Sequence, residues 1–245
     1  MTLDHLFDRN VAWVARKRRD DPTFFMRMAE QQTPDYLWIG CADSRITAND
    51  VLGLDPGEVF VQRNIANMVH TSDMNLLAVL EFAVETLKVG HVIVCGHTNC
   101  GGVRRAMGTD RSALVDHWLQ PLVMLYRKHG AVFDGLAGEQ ERLDRLCALN
   151  VQMQVRRVMQ TPIVEAAWER GQPLQVHGWM YGVEDGFLRK LEPPVGSLAE
   201  RDRLPTIDDC ARNPVEPKSA MRLQAMAAFA ADAAGETRSC RCAGC

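Results

Sequence analysis

The feature that most constrains this chain is an alternation of short apolar runs with one long amphipathic segment. Three short apolar runs, typical of buried strands, lie at 36–39, 59–61 and 91–95. Between residues 76 and 87, apolar side chains recur every three or four positions, which predicts a helix that Gly90 ends. A strand, a crossover helix and a further strand imply parallel pairing, so we expect an α/β fold.

Segments on both sides of this unit extend the pattern. Apolar residues at helical spacing over the first twenty positions predict an N-terminal helical arm. Later elements are predicted as a helix at 139–160, a helix from Thr161 to Gly171, a strand at 174–181 and an edge strand at 187–188. The expected architecture is a mostly parallel central β-sheet flanked by helices, with the arm at its N-terminus.

Length and composition limit the organisation and the partners of the chain. The 245 residues, 47% hydrophobic and 24% charged, suffice for one main domain, which we place at 1–200. Beyond it we expect a helical extension at 201–239 and a cysteine-rich tail at 240–245. The net charge of −3 gives no reason to expect nucleic acid as a partner. Because no apolar run reaches the length of a membrane span and the charged N-terminus is unlike a secretory signal, we expect a cytoplasmic protein without membrane attachment.

Eight cysteines without an export signal favour reduced thiols and metal ligation over a disulfide framework. Cys95 and Cys147 lie in apolar segments and are interpreted as core residues. Three more cysteines crowd the end of the chain at Cys240, Cys242 and Cys245. Two interpretations of this tail stay open: a solvated segment prone to oxidation, or a soft-metal handle for zinc or Cu(I).

Two polar loops, each directly after a predicted strand, carry the candidate chemistry. In the first loop an extended backbone would point Cys41, Asp43 and Arg45 toward one site. The second loop offers His97 and Cys100, three residues apart. Because the carboxyl ends of parallel strands meet at one edge, two thiolates and an imidazole can share one zinc ion and leave a fourth position open for catalysis. Arg45 would hold Asp43 ionised; a released Asp43 could fill the fourth position and close the site.

The loop sequences resemble a known enzyme family. Cys41-Ala42-Asp43-Ser44-Arg45 and His97-Thr98-Asn99-Cys100-Gly101-Gly102 are similar to the two signature motifs of the β-class carbonic anhydrases. The resemblance implies one zinc ion per chain, bound by Cys41, His97 and Cys100, and a catalytic dyad of Asp43 and Arg45. It also implies hydration of carbon dioxide to bicarbonate, and assembly as a homodimer or a homotetramer.

A narrower resemblance concerns a subgroup of that family in which bicarbonate binds a non-catalytic pocket and stabilises the closed, inactive site. Trp38, Arg63 and Tyr181 stand where this subgroup has its pocket residues. A guanidinium, an indole N–H and a phenol can all donate to an anion. The alternative interpretation is structural: two aromatic core residues and an arginine paired with a carboxylate. Ile46-Thr47 departs from the Val-Pro that is frequent in the subgroup.

Two other functions remain compatible with these residues. The same fold could hydrolyse carbon disulfide or carbonyl sulfide, and the sequence does not exclude this reaction. A non-catalytic, zinc-stabilised binding module is the alternative from another class. Asp43 and Arg45 argue against the module, because a purely structural metal site requires neither residue.

Overall fold

A central β-sheet of five strands organises the protein. The computed structural model describes residues 2–30 and 32–214. The strands are β1 (Tyr36–Cys41), β2 (Val59–Asn64), β3 (His91–His97), β4 (Gln175–Tyr181) and β5 (Leu188–Lys190). They lie in the order β2-β1-β3-β4-β5, with parallel pairing throughout except between β4 and β5. The predicted mostly parallel sheet is therefore confirmed, and its predicted edge strand is antiparallel.

Helices flank this sheet along the described part of the chain. They are α1 (Asp4–Asp20), α2 (Phe24–Glu30), α3 (Ala48–Leu52), α4 (Met74–Glu81), α5 (Gly101–Met107), α6 (Leu114–Trp118), α7 (Gln120–Lys128), α8 (Gly130–Asp134), α9 (Glu139–Met159), α10 (Pro162–Glu169), α11 (Leu198–Arg201) and α12 (Ile207–Arg212). The N-terminal arm is confirmed as α1, and none of its side chains is buried against the residues that the structure describes. The long helix α9 packs against β3 and β4 and fixes the centre of the fold.

The crossover helix ends differently from the prediction. After α4 the chain continues in a π-helical turn, Phe82–Thr86, and the Leu87 N–H donates to the Phe82 carbonyl. Lys88 then takes the left-handed conformation, with φ 56°. The helix therefore ends at Thr86, before Gly90 is reached. The prediction that Gly90 ends it is wrong. Gly90 instead donates its N–H to the Asp35 carbonyl, which sets β3 beside β1.

Apolar side chains fill both faces of the sheet. The larger cluster lies between the sheet and α9 and includes Cys147, whereas the smaller cluster on the opposite face includes Trp38 and Cys95. Both cysteines are almost fully buried, so their interpretation as core residues is confirmed. Cys210 and Ala211 of α12 belong to the larger cluster.

The structure does not test the predicted domain boundary or the predictions for the end of the chain. The division of the chain at residue 200 stays a prediction. The predicted helical extension beyond residue 214 and the tail of Cys240, Cys242 and Cys245 lie outside the described residues. Within 2–30 and 32–214, every helix is too short or too polar to cross a membrane.

Candidate metal centre

The two polar loops meet where β1 and β3 end side by side. Gly40 pairs with Cys95, so both strands reach the same edge of the sheet. Cys41 is the last residue of β1, and His97 is the last residue of β3. Cys100 stands immediately before α5 as its N-cap residue. The parallel register thus brings together side chains that are more than fifty positions apart in sequence.

The structure places the three predicted ligands in one buried cluster. One ligand atom from each of Cys41, His97 and Cys100 lies within 4.8 Å of the other two. The two sulfur atoms are 3.9 Å apart. All three side chains are buried. Two sulfurs and an imidazole nitrogen at this spacing are the donor set that zinc prefers.

His97 presents a nitrogen that lacks a partner. Its Nδ1–H donates to the Thr98 carbonyl at 2.8 Å, because a carbonyl oxygen can only accept. This bond leaves Nε2 as the atom with the free lone pair. Nε2 is buried, and no residue in the described part of the chain forms a hydrogen bond with it. A buried acceptor without a partner is unfavourable, and a bound metal ion would satisfy it.

The hydrogen bond between the two thiols also indicates a site for a metal ion. A hydrogen bond from the Cys100 thiol lowers the pKa of Cys41. The same contact raises the pKa of Cys100, which keeps its proton. A cation held between these groups would take the place of the shared proton. The residues present therefore fit zinc.

Asp43 and Arg45 form an intact ion pair beside the cluster. Arg45 donates from Nε to Asp43 Oδ1 at 2.9 Å and from Nη2 to Oδ2 at 2.7 Å. This bidentate contact holds the pKa of Asp43 well below its usual range, so the carboxylate stays ionised. The Oδ2 atom lies 3.8 Å from His97 Nε2. The carboxylate therefore faces the position that the three ligands surround.

The backbone reaches this arrangement by a turn, so the predicted extended conformation is wrong. The Ile46 N–H donates to the Asp43 carbonyl at 3.1 Å, and the Arg45 N–H donates to Asp43 Oδ1 at 3.0 Å. An aspartate that caps its own turn in this way competes with extended structure. The convergence of Cys41, Asp43 and Arg45 was predicted correctly, but for the wrong geometric reason.

Sequence reasoning missed Glu184, which lies at the same end of the sheet just after β4. Its Oε2 accepts from the Thr98 hydroxyl at 2.6 Å, and its Oε1 accepts from the Asn99 side-chain amide. The Thr98 bond is the main reason that the pKa of Glu184 falls below its usual value. The available signal was its position, three residues after Tyr181 at the end of a predicted strand.

The three predicted bicarbonate residues share the sheet face of the smaller core cluster. Trp38 is fully buried there, and Tyr181 packs at its edge. Arg63 lies beside Gly40 in the neighbouring strand and donates from Nε to the Cys41 carbonyl at 2.9 Å and from Nη2 to the Asp43 carbonyl. No hydrogen bond joins the three side chains, all of which the structure describes. The alternative that Arg63 pairs with a carboxylate is wrong for the described residues, because its partners are carbonyl groups.

Comparison with known proteins gives the same family for most of the chain. A family model described as "Carbonic anhydrase" matches residues 36–188. A carbonic anhydrase from Emericella nidulans is 46% identical over 191 residues, which cover 78% of this chain and 83% of the relative. A carbonic anhydrase from Saccharomyces cerevisiae is 37% identical over 195 residues, which cover 76% and 87% respectively.

Solved structures agree with the sequence relatives. One of two tetrameric β-carbonic anhydrases from Sordaria macrospora superposes with a TM-score of 0.76 at 38% identity, covering 79% of this chain and 98% of that one. A β-carbonic anhydrase from Aspergillus fumigatus superposes with a TM-score of 0.74 at 42% identity, covering 78% and 92%. Both matches share the α/β sheet and span nearly the whole of the known structures. From its motifs, its fold and these relatives, the chain is an enzyme that belongs to the β-class carbonic anhydrases.

Proposed function

We propose that this chain catalyses the zinc-dependent, reversible hydration of carbon dioxide to bicarbonate and a proton. The observation that carries the proposal is the buried convergence of Cys41, His97 and Cys100, where His97 Nε2 has no hydrogen-bond partner among the described residues. Zinc held by these three residues would lower the pKa of a water molecule in its fourth position and so supply a nucleophile near neutral pH.

In this proposal Asp43 and Arg45 orient the reacting water molecule. Because Arg45 keeps Asp43 ionised, the carboxylate can only accept hydrogen bonds. We propose that Asp43 accepts a hydrogen bond from the attacking water. This bond would orient the lone pair of the water oxygen toward carbon dioxide. Arg45 in turn fixes the carboxylate through two parallel bonds, which leaves the carboxylate little freedom to rotate.

We also propose that bicarbonate inhibits the enzyme by binding Trp38, Arg63 and Tyr181. The contacts of Arg63 support a mechanism. Its guanidinium now holds the carbonyls of Cys41 and Asp43, so an anion that draws Arg63 away removes two hydrogen bonds from the loop that carries the dyad. A loosened loop would free Asp43 from Arg45 and let it take the fourth ligand position. By linkage, bicarbonate and the intact Asp43–Arg45 pair must then oppose each other.

The assembly and the location are further parts of the proposal. We propose a homodimer or homotetramer: α1 leaves Phe7 and Val11 largely exposed, and a solved relative is tetrameric. We propose a cytoplasmic location, because unpaired thiol ligands persist most readily in a reducing compartment.

Stopped-flow measurement of carbon dioxide hydration by the zinc-loaded protein, from neutral to alkaline pH, tests this function. We expect turnover that rises with pH, that falls on addition of bicarbonate and that Asp43→Asn largely abolishes. Absence of turnover at every pH with zinc bound would contradict the proposal. Carbon disulfide and carbonyl sulfide would then be tried as substrates, and failure with both would favour a non-catalytic zinc module.

A further inference from the structure

The segment between the two ligands of the second loop is tied to a single carboxylate. Thr98 and Asn99 separate His97 from Cys100, and both side chains donate to Glu184. The Thr98 hydroxyl oxygen itself accepts from the Val183 N–H at 2.9 Å, which leaves its proton for Glu184. The Thr98 N–H donates to the Tyr181 carbonyl at 3.0 Å. The loop that carries two metal ligands is thus fastened to the chain segment that follows β4.

Asn99 is the residue on which these contacts act. It has φ 54°, in the left-handed region that asparagine tolerates better than most residues. Its side-chain amide is held at both ends, because Nδ2 donates to Glu184 and Oδ1 accepts from Arg104 Nη2 at 3.3 Å. In this conformation the Asn99 carbonyl accepts from Arg45 Nη2 at 3.3 Å.

The carbonyl contact reaches the dyad directly. Apart from its bonds to Asp43, the Arg45 guanidinium has only the Asn99 carbonyl as a hydrogen-bond partner among the residues that the structure describes. The same Nη2 atom bridges the Asp43 carboxylate and this carbonyl. Whatever holds Asn99 in place therefore also holds Arg45 in the orientation that pairs with Asp43.

We propose that Glu184 is a positioning residue that keeps Arg45 paired with Asp43 by holding Thr98 and Asn99 in their present conformation. The inference rests on the proposed function, because the pair matters only if it orients the reacting water. Glu184 is itself solvent-exposed, so its removal should weaken the pair without unfolding the protein.

The test compares Glu184→Ala with Glu184→Gln and with a control, Glu85→Ala. Glu85 is a carboxylate with two donors, Arg170 and Lys88, on the helical segment that follows α4. Each variant is loaded with zinc for kinetics and with Co(II) for absorption spectroscopy, since cobalt–thiolate and d–d bands report the ligand set. Arg45→Ala provides the reference spectrum for a released Asp43.

We expect Glu184→Ala to bind one metal ion, to lose about fivefold in kcat with KM unchanged and to shift the cobalt spectrum toward that of Arg45→Ala. Glu184→Gln, which retains an oxygen for the Thr98 hydroxyl, should recover part of the loss, and Glu85→Ala should match wild type. A wild-type spectrum and kcat in Glu184→Ala would overturn the inference alone. Wild-type protein without any cobalt–thiolate band would overturn the proposed function and this inference together.

Discussion

The metal centre and the predicted bicarbonate pocket adjoin at one end of the sheet, yet their side chains are in different states. At the metal centre, three donors converge and His97 Nε2 lacks a partner among the described residues. In the pocket, Trp38 is packed in the core and Arg63 already binds two carbonyls. The unsatisfied acceptor of His97 marks the metal centre as ready for its ligand. The bicarbonate pocket must instead exchange existing hydrogen bonds for an anion. The sequence alone does not reveal this difference, because each site has all of the residues that its ligand needs.

The largest effect should come from removing a ligand. Cys100→Ala is expected to abolish stoichiometric zinc binding and activity together, because two donors cannot replace three in this site. Elemental analysis after dialysis measures the bound metal. Cys95→Ala is the matched control: Cys95 is a buried thiol of the same strand as His97, and its removal should leave zinc in place. A zinc content near one per chain in Cys100→Ala would show that Cys100 is not a ligand and would contradict the proposed metal centre.

The buried thiols outside the centre should behave in the opposite way to its ligands. Burial raises the pKa of Cys147 to about 12 and raises the pKa of Cys95 as well. A raised pKa means that the thiolate forms only at high pH, so at pH ~8 Cys147 stays almost wholly protonated and unreactive. Iodoacetamide labelling, read by peptide mass spectrometry, should modify Cys147 about a thousandfold more slowly in the folded than in the unfolded protein. Equal rates would contradict its burial.

A substitution in the Asp43–Arg45 dyad should affect turnover without affecting zinc binding. Asp43→Asn is expected to keep zinc and to lose about a hundredfold in kcat, because an amide cannot replace an ionised acceptor beside Arg45. Zinc content and stopped-flow kinetics on the same preparation measure both quantities. Asp55→Asn, which changes an exposed carboxylate in the loop before β2, serves as the control. Full activity in Asp43→Asn would remove the dyad from the mechanism.

The smallest effect concerns the bicarbonate pocket. Tyr181→Phe removes one hydroxyl donor and should raise the inhibition constant for bicarbonate about fivefold, with zinc content and uninhibited kcat unchanged. Tyr36→Phe alters another half-buried tyrosine on the same sheet face and should leave inhibition as it is. If both variants respond to bicarbonate like wild type, the three residues are structural.

Features set by local pattern and motif could be predicted from the sequence. Short apolar runs located the strands, and a stretch without glycine or proline located α9. The spacing of His97 and Cys100 after a strand indicated a shared metal ion. Features that depend on competing hydrogen bonds could not be predicted. The Asx turn at Asp43, the left-handed Lys88 and the carbonyl partners of Arg63 each reflect a choice among several available donors and acceptors. Glu184 escaped notice because an exposed glutamate after a strand carries no pattern of its own.

Zinc X-ray absorption spectroscopy on the purified full chain tests the central claim most directly, since it counts the ligands of the bound metal. Cys41, His97 and Cys100 predict two sulfur ligands at about 2.3 Å and one imidazole nitrogen at about 2.0–2.1 Å, with one further light-atom ligand. Three or four sulfur ligands would mean that another thiol completes the site. A coordination shell of nitrogen and oxygen alone would contradict the account.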